Sequence, residues 1–90
     1  PSKPLREAVI ETVHDTPDEI TAIAELPGVS EDGLDISWEG DVVRLTASGA
    51  RVDYRAEALL PRPVAGMTFE RRLRNGILEM RWHRAGGDGA

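Results

Sequence analysis

Two histidines are the first residues of this 90-residue chain that could do chemistry, because imidazole both binds metals and transfers protons near neutral pH. His14 has Asp15 and Asp18 close behind it, whereas His83 lies near the other end of the sequence. A zinc site needs three or four convergent ligands, and the chain has no cysteine to supply thiolates. We therefore interpret both histidines as solvated residues at strand ends, and we expect no metal and no cofactor.

Neighbouring carboxylates could serve acid–base catalysis, and the chain has such groups at Glu31-Asp32 and at Asp15, Asp18 and Glu19. That role needs a carboxyl desolvated in a cleft, but these groups lie among turn residues, where acidic side chains are common. The sequence also contains no nucleophile–base constellation, no P-loop and neither of the motifs G-x-S-x-G and G-x-G-x-x-G. We expect that the protein is not an enzyme.

Arginine is concentrated towards the end of the chain, at Arg71, Arg72, Arg74, Arg81 and Arg84. One interpretation of this cluster is a patch for an anion or an acidic partner. The other, which we prefer, is a set of solvated strand faces in which Glu70 and Glu79 neutralise the arginines. The whole chain carries a net charge of −5, so nucleic acid is excluded as the main partner, because phosphate binding needs a basic face.

The elements that must position these residues are strands, because apolar and polar residues alternate over short runs that end at turn residues. Residues 34–38 alternate most clearly, and Asn75-Gly76 is the strongest hairpin signal, since both residues tolerate positive φ. Residues 30–33 indicate one helical turn at most, and no longer stretch has a helical period. The predicted strands are residues 8–14, 19–25, 34–38, 42–47, 54–60, 67–73 and 77–83. Seven short strands predict an all-β sandwich of antiparallel strands.

The length of the chain is that of one small domain. We expect a flexible lead-in over residues 1–7, the sandwich over residues 8–84 and a flexible glycine-rich tail over residues 85–90. The chain starts at Pro1 rather than methionine, which is compatible with a trimmed chain or with a piece of a longer protein. No apolar run approaches the ~18 residues of a membrane span. The lack of cysteine fits a reducing compartment, so we expect a cytoplasmic location.

Four pieces of the sequence, in register, resemble the α-crystallin domain of small heat-shock proteins. Ala24-Glu25-Leu26-Pro27-Gly28-Val29 is similar to the family's A-x-L-P-G-V signature. The other three pieces are the strand and hairpin of residues 34–41, Leu59-Leu60-Pro61 and the hairpin of residues 74–80. The resemblance covers residues 8–83, and it implies an immunoglobulin-like β-sandwich of the short-loop, archaeal type that binds unfolding proteins without ATP.

The sequence also departs from the family pattern. Arg71 stands where the family usually has alanine, and by alternation it should point inward and extend its charge to solvent at a sheet edge. Ala56 stands where a basic residue usually forms an ion pair between subunits. The connection Ser48–Asp53 spans at most ~20 Å, which is too short for a strand that exchanges between subunits. No I-x-I motif follows Trp82, so we expect a monomer or a homodimer joined through edge strands.

The resemblance implies a partner-binding groove between the strands predicted over residues 34–38 and 67–73. Its predicted walls are Leu34, Ile36, Met67, Phe69 and Leu73, although inward-facing apolar residues are more often plain core. The expected function is a holdase that binds unfolded or destabilised client proteins through this groove and through sheet edges. The alternative is a non-catalytic adaptor domain of the α-crystallin or CS type. It would be appended to a larger protein, as similar domains are in some anion-transporting ATPases, or would assist one dedicated partner, as CS-type domains and a gas-vesicle accessory protein do.

Overall fold

The structure, a computed structural model, describes residues 3–84. Every regular element in this part of the chain is a strand. In chain order the strands are β1 (Leu5–Glu7), β2 (Ile10–Thr16), β3 (Glu19–Glu25), β4 (Val29–Glu39), β5 (Val42–Gly49), β6 (Asp53–Leu59), β7 (Thr68–Arg74) and β8 (Ile77–His83). Within these residues no helix is present that could cross a membrane.

The strands form two four-stranded sheets, and this confirms the predicted all-β sandwich. The first sheet has the order β1-β6-β5-β4 and the second has the order β2-β3-β8-β7. Neighbouring strands are antiparallel except for β1 and β6, which are parallel. The order makes β4 an edge strand of the first sheet and β7 an edge strand of the second.

The core lies between the two sheets, because every second residue of a strand points to the same face. Trp82, Met80 and Leu78 of β8 are fully buried, as are Val43 and Leu45 of β5. Burial of a large apolar side chain of this kind contributes about 1.5–3 kcal/mol. Small residues on facing positions let the sheets approach each other. These are Ala22, Ala24, Ala47 and Ala56, all buried in the same cluster.

One end of the sandwich is closed where the Leu26-Pro27-Gly28 corner meets the β7–β8 hairpin. Leu26 donates its backbone N–H to the Gly76 carbonyl at 2.6 Å. Gly76 has a φ of 75°, and a Cβ at this position would lie 3.2 Å from Pro27 Cα. The Tyr54 hydroxyl donates to the Pro27 carbonyl at 3.3 Å and ties β6 to the same corner. The two turn motifs therefore meet at one end of the molecule.

Two stretches differ from the sequence-based expectation. Residues 30–33 belong to β4 rather than to a helical turn, and a register shift between Val29 and Leu34 accommodates them in the sheet. A Cβ on Gly33 would lie 2.6 Å from the Ser48 carbonyl oxygen, so glycine allows this close approach of the backbones. Residues 5–7, expected to be part of a flexible lead-in, form β1 instead. The tail predicted over residues 85–90 lies outside the described residues.

Candidate functional site

The five predicted groove residues lie on the two edge strands β4 and β7 or immediately beside them. Leu34 and Ile36 are on β4, Phe69 and Leu73 are on β7, and Met67 directly precedes β7. All five are half-buried and pack against the core cluster. Part of each apolar side chain therefore remains accessible to solvent, which is the surface an apolar partner would use. We call the space between β4 and β7 the groove.

Three aromatic rings close one end of the groove. The Trp38 and Phe69 ring centroids are 4.7 Å apart, and both rings contact Trp82, at 5.7 and 5.1 Å. Tilted and edge-on aromatic pairs of this kind contribute about 0.5–1.5 kcal/mol beyond their burial. The site prediction did not include Trp38, although its alternation with Leu34 and Ile36 placed it on the same face.

At the other end of the groove, Glu31 of β4 reaches across to β7. Its Oε2 accepts a hydrogen bond from the backbone N–H of Leu73 at 3.2 Å, and its Oε1 lies 3.6 Å from Arg71 Nε. Arg71 is paired with Met80 and so shares the inner face of the sheet, while its side chain remains 34% exposed. We call this arrangement the Glu31 clasp. It gives the inward-facing, partly exposed Arg71 a charged partner at the edge of the sheet.

The two walls of the groove carry opposite charges. β4 contains only acidic charged residues, namely Glu31, Asp32, Asp35 and Glu39. β7 contains three arginines and one glutamate, Glu70. Asp35 and Glu39 alternate with Leu34 and Ile36 and so lie on the opposite face of β4, as Arg72 and Arg74 do on β7. The charges that meet across the groove are therefore Glu31 and Arg71.

The outer edge of β6 is covered by the backbone of β1, whereas the edge of β7 is contacted by the Glu31 side chain. Asp53 donates its N–H to the Pro4 carbonyl at 2.9 Å, and Ala8 donates to the Arg55 carbonyl at 2.8 Å. Lys3 lies 3.0 Å from Asp53, and Glu7 lies 2.7 Å from Arg55. The hydrogen bond and charge of Lys3 lower the pKa of Asp53 against a smaller opposing effect of desolvation, with further help from hydrogen bonds of Ser48 and the Gly49 backbone.

The remaining chemically interesting residues lie on the solvent face of the second sheet. His83 Nε2 is 3.1 Å from Glu70, and Arg81 lies 3.3 Å from Glu70 and 3.4 Å from Glu19. His14 is exposed on β2. Among residues 3–84, no three histidine, aspartate or glutamate side chains are grouped closely enough to hold a metal ion. The contacts of Glu70 and Glu19 with Arg81 and His83 are side-chain pairs between neighbouring strands on a solvated sheet face.

Comparison with known structures identifies the fold. The chain has a TM-score of 0.67 and 14% identity to HSP18.5 from E. histolytica, covering 90% of both chains. It has a TM-score of 0.69 and 14% identity to heat shock protein 16.0 from Schizosaccharomyces pombe, covering 88% of this chain and 87% of the other. For a mutant of hsp14.1 from Sulfolobus solfatataricus P2 the TM-score is 0.70 and the identity 16%, covering 89% of this chain and 73% of the other.

The chain therefore has the β-sandwich fold of small heat-shock proteins. The resemblance drawn from the four sequence motifs is confirmed at the level of the fold. No protein-family model matches the sequence. No curated protein matches it either.

Proposed function

We propose that this domain is an ATP-independent chaperone that binds extended, apolar segments of unfolding proteins. The observation that carries the proposal is the row of half-buried apolar side chains between two edge strands, in a fold shared with small heat-shock proteins. Edge strands offer free N–H and C=O groups to an extended segment, and the apolar wall contacts its side chains. Met67 adds a flexible side chain that suits varied partners.

The charge of the chain supports the same proposal. A net charge of −5 on 90 residues lets complexes with aggregating clients repel one another in solution. Binding of this kind uses neither a nucleotide nor a covalent step. Because the chain lacks cysteine, we propose action in a reducing compartment such as the cytoplasm.

The test is the light scattering of a heat-labile enzyme warmed with and without the protein, at equimolar amounts and above. We expect suppression of scattering, with no further effect of added ATP. Leu34→Ser should raise the amount of protein needed about two- to five-fold, because a leucine contact contributes ~1 kcal/mol when it is partly desolvated. Leu59→Ser is the matched control, since Leu59 is 71% exposed and lies on β6, away from the groove. No suppression by the unaltered chain would contradict the proposal.

A second candidate is an adaptor domain with one dedicated protein partner. The short β5–β6 connection, residues 50–52, and the β1 strand that covers part of β6 favour it, because both reduce the ways in which copies can assemble. The scattering assay distinguishes the candidates. A protein that does not suppress the scattering of the heated enzyme, and that sediments as a monomer or a dimer, would favour the adaptor. Suppression of the scattering would favour the chaperone.

A further inference from the structure

The groove wall on β7 contains a site that a side chain of the same molecule already fills. The Leu73 N–H is a backbone donor on an edge strand, and it donates to Glu31 Oε2 at 3.2 Å. Arg71 Nε approaches the other oxygen of the same carboxylate at 3.6 Å. An outward backbone donor beside a guanidinium is a suitable pair of partners for a carboxylate.

We infer that Arg71 forms a receptor for an acidic side chain of an extended partner segment, beside the Leu73 N–H that pairs with the backbone of that segment, and that Glu31 occupies both as an internal competitor. The inference rests on the proposed function of the groove and names the chemistry that its β7 wall selects. A strand that adds to β7 needs the Leu73 N–H for its own ladder, so it must displace Glu31. A partner carboxylate opposite Arg71 replaces the contact that Arg71 loses.

The positions of the charges support an acidic rather than a basic partner on this wall. Arg71 is the arginine of β7 that shares the inner face with Phe69 and Leu73, so a lysine placed opposite it would meet like charge. Glu31 is 55% exposed, and a single exposed carboxylate is held weakly enough to be displaced. The neighbouring positions on the inner face, Phe69 and Leu73, accept apolar side chains.

The test uses the capped peptide Thr-Val-Thr-Glu-Thr-Val-Thr, in which glutamate and both valines lie on one face of a strand. Counterparts with glutamine or lysine in place of the glutamate serve as probes of charge. Binding is followed through the fluorescence of Trp38 and Trp82, which lie at the aromatic end of the groove. We expect Glu31→Ala to bind the glutamate peptide about 3–10-fold more tightly than the unaltered chain, since the competitor is removed.

Asp32→Ala is the matched control, because Asp32 is the adjacent exposed acid and its partner is the Ser30 hydroxyl at 2.6 Å. It removes the same charge and leaves the Glu31 clasp in place, so its affinity should change less than two-fold by long-range charge alone. Arg71→Met keeps the apolar stem of the side chain and should abolish the preference for glutamate over glutamine.

The inference would be overturned if Glu31→Ala and Asp32→Ala gained the same affinity for the glutamate peptide. It would also be overturned if the lysine or the glutamine peptide bound more tightly than the glutamate peptide. Binding of all three peptides with one affinity would remove the inference and leave the groove as the binding surface. Failure of every peptide to bind any variant would contradict both the inference and the groove as the surface of the proposed function.

Discussion

The outer edge of β6 and the edge of β7 are covered by different means. At β6 the cover is backbone, because β1 pairs in parallel with Asp53–Arg55 and two ion pairs flank the ladder. At β7 the cover seen in the described part of the chain is one carboxylate, which accepts one N–H and approaches one arginine. The two edges also differ in surroundings, since β7 borders half-buried apolar side chains and the covered part of β6 borders charged ones.

The difference indicates which edge is available for a partner. Several backbone hydrogen bonds must break together to uncover β6, and each contributes about 0.5–1.5 kcal/mol. Displacement of Glu31 from β7 breaks one hydrogen bond and one exposed ion pair, which contributes about 0–1 kcal/mol. If the domain binds extended segments as proposed, β7 is therefore the edge of these two from which the cover is more easily displaced.

The largest expected effect comes from the aromatic end of the groove. Trp82 is fully buried and contacts both Trp38 and Phe69, so Trp82→Ala should lower the free energy of unfolding by about 3–5 kcal/mol. The loss should also accelerate amide exchange in β7 more than in β6, because Phe69 loses its support. Denaturant unfolding and hydrogen exchange by mass spectrometry measure the two effects.

Leu45→Ala is the control for that variant. Leu45 is also fully buried but lies on β5 between Ile36 and Ala56, so its loss should cost about 2–5 kcal/mol. Its effect on exchange should fall on the first sheet. If both variants accelerate exchange in β7 and β6 to the same extent, the two edges do not respond separately and the comparison between them fails.

A smaller effect is expected when the backbone cover of β6 is broken. In the parallel register the Asp53 N–H donates to the Pro4 carbonyl and the Ala8 N–H donates to the Arg55 carbonyl, so the N–H of Arg6, between them, also points towards β6. Proline at position 6 removes that N–H. We expect Arg6→Pro to cost about 1 kcal/mol, to speed exchange of the Ala8 amide about five-fold and to allow pairing of two copies through β6.

Leu5→Pro is the matched control, because the N–H of Leu5 points away from β6 in the same register. It should leave the exchange of Ala8 and the sedimentation of the protein unchanged. Equal behaviour of the two proline variants would show that β1 does not protect β6 through its backbone.

The strands could be predicted from the sequence where alternation and turn residues agree. Residues 77–83 coincide with β8, and the Asn75-Gly76 hairpin has the positive φ angles that its residues allow. β1 could not be found in this way, because three residues show no periodicity and their partner is some fifty positions away. Over residues 30–33 the sequence predicts one helical turn at most, since the glycine and the acidic residues favour turns. The structure instead pairs Val29 with Gly49 and brings Gly33 close to Ser48, two contacts that the local sequence does not indicate.

The candidate site was predictable only in part for a related reason. Alternation identified the inward face of residues such as Leu34 and Phe69, and the family resemblance selected the strands. Glu31 was missed because its role depends on a contact between two sheets, Leu73 N–H to carboxylate, that has no sequence signal. The inward direction of Arg71 was predicted from period-2 alternation, but its partner was not.

The smallest expected effect is a pH dependence of the β1–β6 cover. Lys3 lowers the pKa of Asp53 in the folded chain below its value in the unfolded chain, so the unfolded chain binds more protons as the pH falls. The contribution of this pair to β1 docking is therefore complete above about pH 4, near the unfolded value, and is lost as the pH falls through the lower folded value. Amide exchange of Ala8, corrected for intrinsic rate, should then accelerate below that pH.

Asp53→Asn should remove this acceleration. In that variant the Ala8 amide should exchange at the same corrected rate above and below the pH at which Asp53 is protonated. Glu7 is the other carboxylate that holds β1, at 2.7 Å from Arg55, and its protonation would also loosen β1. Asp53 and Asp53→Asn are therefore compared in chains that also carry Glu7→Gln. If the acid-induced acceleration persists in Asp53→Asn within that background, its origin lies outside the Lys3–Asp53 pair. The cover of β6 would then depend on its ladder alone, which would widen the difference from β7, where a carboxylate provides the cover.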